Sequence, residues 1–254
     1  MSGAFQTAAI ILAAGKGRRM DSEVPKQYVG LVGHPVLYYC LKAFQESFID
    51  EIVLVCGEDD IGYCKREIIK RYNFTKVKKV VAGGAERYHS VAAGLAAVDK
   101  CDFVFIHDGA RPFVTQEVIT RCYEAVIKYK AAVAAVPAKD TIKLADEEGF
   151  AAQTIDRSSV WQIQTPQAFM YTEIYDAYKQ LLKEEDLVKA AGINITDDAL
   201  VMEQFGLRRA KLVDGGYRNI KITTPEDMLV AEAYLKKPGR VRHAGVGNSF
   251  SASI

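Results

Sequence analysis

Short β-branched runs alternate with segments that carry a single apolar helical face, and few folds accept that alternation. Residues 8–12 (AAIIL), 51–55 (EIVLV), 79–83 (KVVAG), 103–106 (FVFI) and 132–136 (AVAAV) read as buried strands. Between the first two, Leu37, Cys40, Leu41, Phe44 and Phe48 recur at helical spacing, and Val118, Cys122, Ala125, Val126 and Tyr129 repeat the pattern later. Strand–helix–strand alternation implies an α/β fold with a mostly parallel sheet and helices on both faces. Ligands of such sheets gather outside the carboxyl ends of the strands. The loops after Leu12, Val81 and Ile106 are therefore where a site is expected.

The alternation breaks over residues 138–160, which read as a polar hairpin around Glu148 and Gly149 with little apolar surface of its own. An isolated hairpin is marginal in water, so this one is expected to pack on something else, such as another subunit. The α/β pattern resumes near Trp161. Residues 1–237 are expected to form one domain, and the Gly/Ser-rich stretch 238–254 is expected to be disordered.

Charge restricts the partners. Basic and acidic side chains number 33 and 32, a net +1, which argues against bulk attraction to nucleic acid or membrane. Anion-binding residues must then be grouped locally. Five cysteines, at 40, 56, 64, 101 and 122, make no C-x-x-C pair and lie in apolar stretches. They read as reduced thiols of a cytoplasmic protein. The first residues show no signal-peptide pattern, and no apolar run approaches the ~18 residues of a membrane span.

Three loops carry unusual residues. AAGKGRRM (residues 13–20) puts Gly15, Gly17, Lys16, Arg18 and Arg19 directly after the first strand, where free N–H groups and cations can cradle phosphate. It is neither a Walker A loop nor G-x-G-x-x-G, since position 20 is Met. Pro25, Lys26 and Gln27 follow, with the lysine able to turn back towards the loop. GGAERYHSV (residues 83–91) pairs glycines with a helix start near Ser90, which either offers its hydroxyl to a base edge or caps the helix. HDGARP (residues 107–112) places Asp108 where one carboxylate could serve Mg²⁺. Arg111 is either its ion-pair partner or a ligand contact, and His107 reads as a packing residue. Further on, DTIK (140–143), Asp156 and Arg157, QTPQ (164–167) and NIKITTPEDM (219–228) add polar positions, with Lys221 expected on a short apolar strand and a helix starting at Pro225.

Taken in order, AAGKGRRM, PKQY, GGAER with SV, HDGARPFV, DTIK, DR–W–QTPQAF, TDDA and NIKITTPEDM resemble the 2-C-methyl-D-erythritol 4-phosphate cytidylyltransferase family over residues 8–235. The resemblance implies a Rossmann-like nucleotidyltransferase fold and a homodimer interlocked through the 138–160 β-arm. It implies CTP and a sugar-alcohol phosphate as substrates and Mg²⁺ as cofactor. By motif, Ala13, Ala14, Gly15, Gly84 and Ser90 would surround the cytosine, and Lys16 and Arg19 would meet the triphosphate. Lys26 and Lys221 would grip the α-phosphate, and Asp108 would serve metal and substrates. Thr141 and Arg157 would reach from the partner subunit to the sugar-alcohol phosphate, alongside Arg111 and Thr165. The chain departs from the family at Ala85, often acidic, and at Gly109, usually Ala. Ribitol 5-phosphate cytidylyltransferases share HD-x-x-RPF and QTPQ, but tend to begin with A-G-G and to lack the Asp156–Arg157 pair.

Overall fold

The computed structural model describes residues 5–15, 24–206 and 208–236. The chain opens with β1 (Thr7–Ala13), passes the short pair β2 (Gly30–Leu31) and β3 (His34–Pro35), and enters α1 (Val36–Gln45). Then come β4 (Glu51–Cys56), α2 (Ile61–Tyr63, running on into a π-helical stretch Cys64–Lys70), β5 (Val77–Ala82), α3 (Arg87–Ala97) and β6 (Phe103–Asp108). The second half holds α4 (Gln116–Tyr129), β7 (Ala131–Pro137), β8 (Ile142–Ala145), β9 (Ala151–Ile155), β10 (Trp161–Met170), α5 (Tyr171–Lys183), α6 (Glu185–Ala190), α7 (Asp198–Phe205), β11 (Lys211–Asp214) and α8 (Pro225–Leu235).

Seven strands form one sheet in the order β11-β7-β10-β6-β1-β4-β5. Neighbours are parallel except that β10 runs antiparallel to both β6 and β7. The five strands read from the sequence are all present; β10 and β11 join them. Side chains of β1 alternate between two cores, as the period of two requires. Ala9, Ile11 and Ala13 pack with Leu37, Leu41 and Phe44 of α1 and Val118, Ile119 and Val126 of α4. Ala8 and Ile10 pack with Val91 and Leu95 of α3 and Ile174, Tyr178 and Leu181 of α5. Helices thus cover both faces. Phe48 and Tyr129 fall at the margin of the expected stripes: α1 ends at Gln45, and both rings are about two-fifths exposed.

From β1 the chain moves to β4 and β5 on one side, while β6 returns to the other. The order reverses between β1 and β6, which opens a crevice at their carboxyl ends. Register puts Leu12 opposite Asp108, and the Gly109 N–H donates to the Leu12 carbonyl at 2.8 Å. The segment around Lys221 is not a strand. Its hydrogen bonds go to the β6 loop instead: Ile222 N–H donates to the Ala110 carbonyl at 2.8 Å and Arg111 Nη1 to the Asn219 carbonyl at 2.7 Å. Pro225 does open a helix, closed by a capping box between Thr224 and Asp227. Strands β8 and β9 form a separate two-stranded hairpin, exposed along nearly its whole length, that turns through Gly149 at φ +89°. Residues 238–254 lie outside the described residues.

Candidate active site

A cavity of about 850 Å³ opens at the crevice, walled by Leu12, Ala14, Gly15, Lys26, Gln27, Gly84, Ala85, Glu86, Arg87, Ser90, Asp108, Ala110 and Lys221. The three loops picked from the sequence supply most of this wall. A second cavity of about 500 Å³ shares Arg87, Asp108 and Lys221 with it and adds Arg111, Gln164, Thr165 and Asp197 among others. Lys16 and Arg19 lie outside the described residues. Ala13 is buried beneath the first loop, with its carbonyl taken by Gln27. Thr141 and Arg157 line neither cavity. Both are exposed, and Arg157 Nη1 donates to the Lys139 carbonyl at 3.0 Å.

Gln27 stands on a single 3-10 turn, Lys26–Tyr28, which Pro25 precedes in extended backbone. Its Nε2 donates to the carbonyls of Ala13 at 2.6 Å and Gly15 at 3.2 Å, so the turn carrying Lys26 is bolted to the glycine loop. The second loop is held from below. Ser90 is neither cap nor helix start: α3 begins three residues earlier with Glu86 as N-cap, and Glu86 and His89 close a capping box. The Ser90 hydroxyl instead accepts the Gly84 N–H at 3.1 Å. Gly83 packs so tightly that a Cβ there would lie 2.4 Å from Ala14 Cβ and 2.6 Å from Ser90 Oγ. First and second loops therefore touch through this glycine.

Asp108, only 7% exposed, sits at the centre of a cation cluster. Its Oδ2 lies 2.9 Å from Lys221 Nζ and 3.7 Å from Arg111 Nε, and its Oδ1 lies 3.5 Å from Arg87 Nε. Burial opposes its ionisation, but Lys221, then Arg87 and Arg111 together outweigh burial and hold the carboxyl well below the usual range. Arg111 is thus a buried ion-pair partner, with its Nη1 spent on the Asn219 carbonyl. Behind the cluster the polar groups form a closed chain. Asp108 N–H donates to Thr165 Oγ1 at 3.1 Å, Thr165 pairs with His107 Nδ1 at 3.0 Å, and His107 Nε2 pairs with the Arg111 carbonyl at 3.2 Å. A carbonyl only accepts, so Nε2 carries the proton and Nδ1 accepts from Thr165. Burial pulls His107 down to about 4, leaving it neutral. Its ring is fully engaged, as a packing residue's would be.

Among the described residues no group of three or more His, Cys, Asp or Glu is placed to hold a metal. Asp108 and Glu86 are the carboxylates in the larger cavity's wall. One or two carboxylates fit Mg²⁺ when phosphate oxygens complete its shell.

Arg87, which lines both cavities, is not among the residues that the loop motifs single out. Its Nη1 and Nη2 each reach an oxygen of the fully buried Asp198 at 2.8 Å. Burial disfavours its charge, yet Asp198 and Asp108 raise its pKa well above the ordinary arginine value. One signal was available: an arginine in the first turn of a helix faces the positive end of the dipole, so a carboxylate partner has to be found.

A profile of the family IspD, 2-C-methyl-D-erythritol 4-phosphate cytidylyltransferase, matches residues 7–237. A protein of that name from Lachnospira eligens is 49% identical over 229 residues, covering 90% of this chain and 98% of the relative. Another from Clostridium kluyveri is 46% identical, covering 90% and 96%. Among solved structures, 4-diphosphocytidyl-2C-methyl-D-erythritol synthase from Anaerococcus prevotii is similar with a TM-score of 0.78 at 37% identity, covering 92% of this chain and 97% of that one. With sequence, fold and crevice in agreement, the chain belongs to the 2-C-methyl-D-erythritol 4-phosphate cytidylyltransferase family.

Proposed function

We propose that this protein transfers the cytidylyl group of CTP to 2-C-methyl-D-erythritol 4-phosphate, giving 4-diphosphocytidyl-2-C-methyl-D-erythritol and pyrophosphate. The observation that carries the reading is that Lys26, Arg87, Lys221 and Asp108 share the walls of one cavity at the β1/β6 crevice of a member of this family. The attacking group is a phosphate monoester, ionised near neutrality (second pKa ~6). It needs no protein nucleophile, and the neighbouring histidine is already hydrogen-bonded at both nitrogens. The obstacle is electrostatic. Two unit charges ~4 Å apart repel by about 4 kcal/mol at an effective dielectric of ~20, and a triphosphate meeting a phosphate brings several such pairs.

Lys26 and Lys221 draw charge from the α-phosphate as the in-line displacement proceeds, and Lys16 and Arg19 neutralise the β- and γ-phosphates. Ala14, Gly15, Gly84 and Ser90 receive the cytosine, and Ala13, buried beneath the loop with its carbonyl held by Gln27, supports them from below. Mg²⁺ is the proposed cofactor, held by Asp108 and phosphate oxygens, and it would supply further neutralisation of the triphosphate. Thr165 lies beside Asp108 and Lys221 where the second substrate approaches, while Arg111 acts through Asp108. Catalysis is then positioning plus fixed electrostatics.

The exposed β8–β9 hairpin supports a homodimer in which Thr141 and Arg157 of one arm complete the partner's site. No described helix is long and apolar enough to cross a membrane, and all five cysteines are buried and unpaired, which supports a cytoplasmic location. The test is pyrophosphate release from CTP with 2-C-methyl-D-erythritol 4-phosphate or ribitol 5-phosphate. Release dependent on the erythritol phosphate is expected, and preference for ribitol would overturn the substrate assignment while keeping the reaction type.

A further inference from the structure

Asp198 is fully buried, reaches neither substrate cavity, and holds the charge that holds Asp108. Its two oxygens take Nη1 and Nη2 of Arg87 side by side, at 2.8 Å each, and Oδ1 also accepts the Tyr178 hydroxyl at 2.5 Å. A two-on-two pairing of this kind fixes the plane of the guanidinium as well as its position. The carboxylate itself is anchored through the backbone. Gln167 Oε1 accepts the N–H groups of Asp198 and Ala199 at 3.0 and 2.9 Å, which ties the start of α7 to β10. Arg87 is left with one edge, Nε, facing Asp108 Oδ1 at 3.5 Å, while Lys221 keeps Oδ2 at 2.9 Å.

We propose that Asp198 is a positioning residue for cytidylyl transfer: by clamping the two terminal nitrogens of Arg87 it confines that arginine to one edge of Asp108, leaving Lys221 and the other carboxylate oxygen in their reactive arrangement. The inference rests on the functional reading above. Without the clamp, Arg87 can turn its fork onto Asp108, the strongest geometry open to it. That would displace Lys221 and withdraw Asp108 from the substrates. Because Asp198 touches no ligand cavity, its loss acts on the arrangement of the reacting groups rather than on nucleotide capture. Misplacement of catalytic groups by ~1 Å from a distant change can cost about 100-fold.

The experiment measures kcat, KM for CTP and melting temperature for the wild type, Asp198→Asn, Arg87→Gln and the double variant, with CTP and 2-C-methyl-D-erythritol 4-phosphate. Asp198→Asn is expected to lower kcat about 10- to 100-fold with KM for CTP changed by less than about threefold. The double variant should have the kcat of Arg87→Gln, because Asp198 acts only through that arginine. A purely structural role would instead lower the melting temperature and leave kcat of the folded fraction unchanged, and this result would overturn the proposal. So would a double variant whose kcat loss equals the product of the single losses. If either single variant fails to fold, the double variant still decides, since it buries no unmatched charge and has no arginine to capture Asp108: kcat within about threefold of the wild type in a folded protein supports the clamp, and kcat 10- to 100-fold down refutes it. A wild type that releases no pyrophosphate would refute the functional reading, and this role with it; an active wild type with an unaffected Asp198→Asn variant would refute the role alone.

Discussion

Replacing Gly83 by Ala tests whether the β1 and β5 loops form the two walls of the nucleotide site. The added Cβ would lie 2.4 Å from Ala14 Cβ and 2.6 Å from Ser90 Oγ, against 3.4–4 Å for ordinary contact. One wall must therefore retreat by roughly 1 Å, and both clashing groups belong to the cavity lining. Overpacking of this size costs ~1–3 kcal/mol, which for a chain of this length lowers Tm by roughly 2–12 °C. Displacement of ~1 Å at the site should lower kcat/KM for CTP by about 100-fold. Gly30→Ala is the control, because a Cβ there meets nothing within 4 Å. Calorimetric titration with CTP and steady-state kinetics read the two effects separately. If Gly83→Ala loses stability yet binds and turns over CTP like the parent, the two loops are not the walls of the nucleotide site.

Three other outcomes are expected. Gln27→Leu leaves the Ala13 carbonyl without its 2.6 Å donor; at ~1–3 kcal/mol for an orphaned buried group, KM for CTP should rise about tenfold, and an unchanged KM would detach Gln27 from the loop. His107 has a folded pKa of about 4 against 6.5 because burial disfavours its charge. As pH falls from 6.5 to 4 the unfolded chain takes up a proton that the folded chain refuses, so stability declines by up to ~3 kcal/mol through this group. Urea titrations should give His107→Gln a shallower decline over that window, and equal slopes would contradict a buried neutral imidazole. Mixing Lys221→Ala with Arg157→Ala should restore activity, since one site of each heterodimer then combines an intact Lys221 with an intact arm. Purified heterodimers should show about half the parental rate, and none would be recovered if each subunit used its own arm.

The sheet was legible where strands are apolar and less so where they are polar. Residues 8–12 and 103–106 announce themselves by composition. β10 does not, because Gln164, Thr165 and Gln167 occupy buried strand positions and are satisfied by loops far along the chain, such as Gln164 Nε2 on the Gly216 carbonyl at 2.9 Å. Its antiparallel run also breaks the strand–helix rhythm. Lys221 stands out in the sequence as a cation out of place, but the reason does not: its segment hangs from the β6 loop rather than from the sheet. The site loops could be found because strand ends fix their location. The pairing of Arg87 with Asp198 behind them could not, since the two are 111 residues apart and meet only when α3 and α7 pack on the same face. Gln27 likewise acts on backbone groups of a neighbouring loop, and Ser90 on the Gly84 N–H at the start of its own, contacts that leave no periodic trace in the sequence.

Catalysis turns on cationic side chains from separate loops meeting at one phosphate. Pyrophosphate release by Lys26→Ala and Lys221→Ala, at saturating CTP and 2-C-methyl-D-erythritol 4-phosphate, measures that meeting most directly. Each variant should keep its fold and lose roughly 10²–10³ in turnover, the effect of deleting one preorganised charge. Near-parental rates in both would contradict the account.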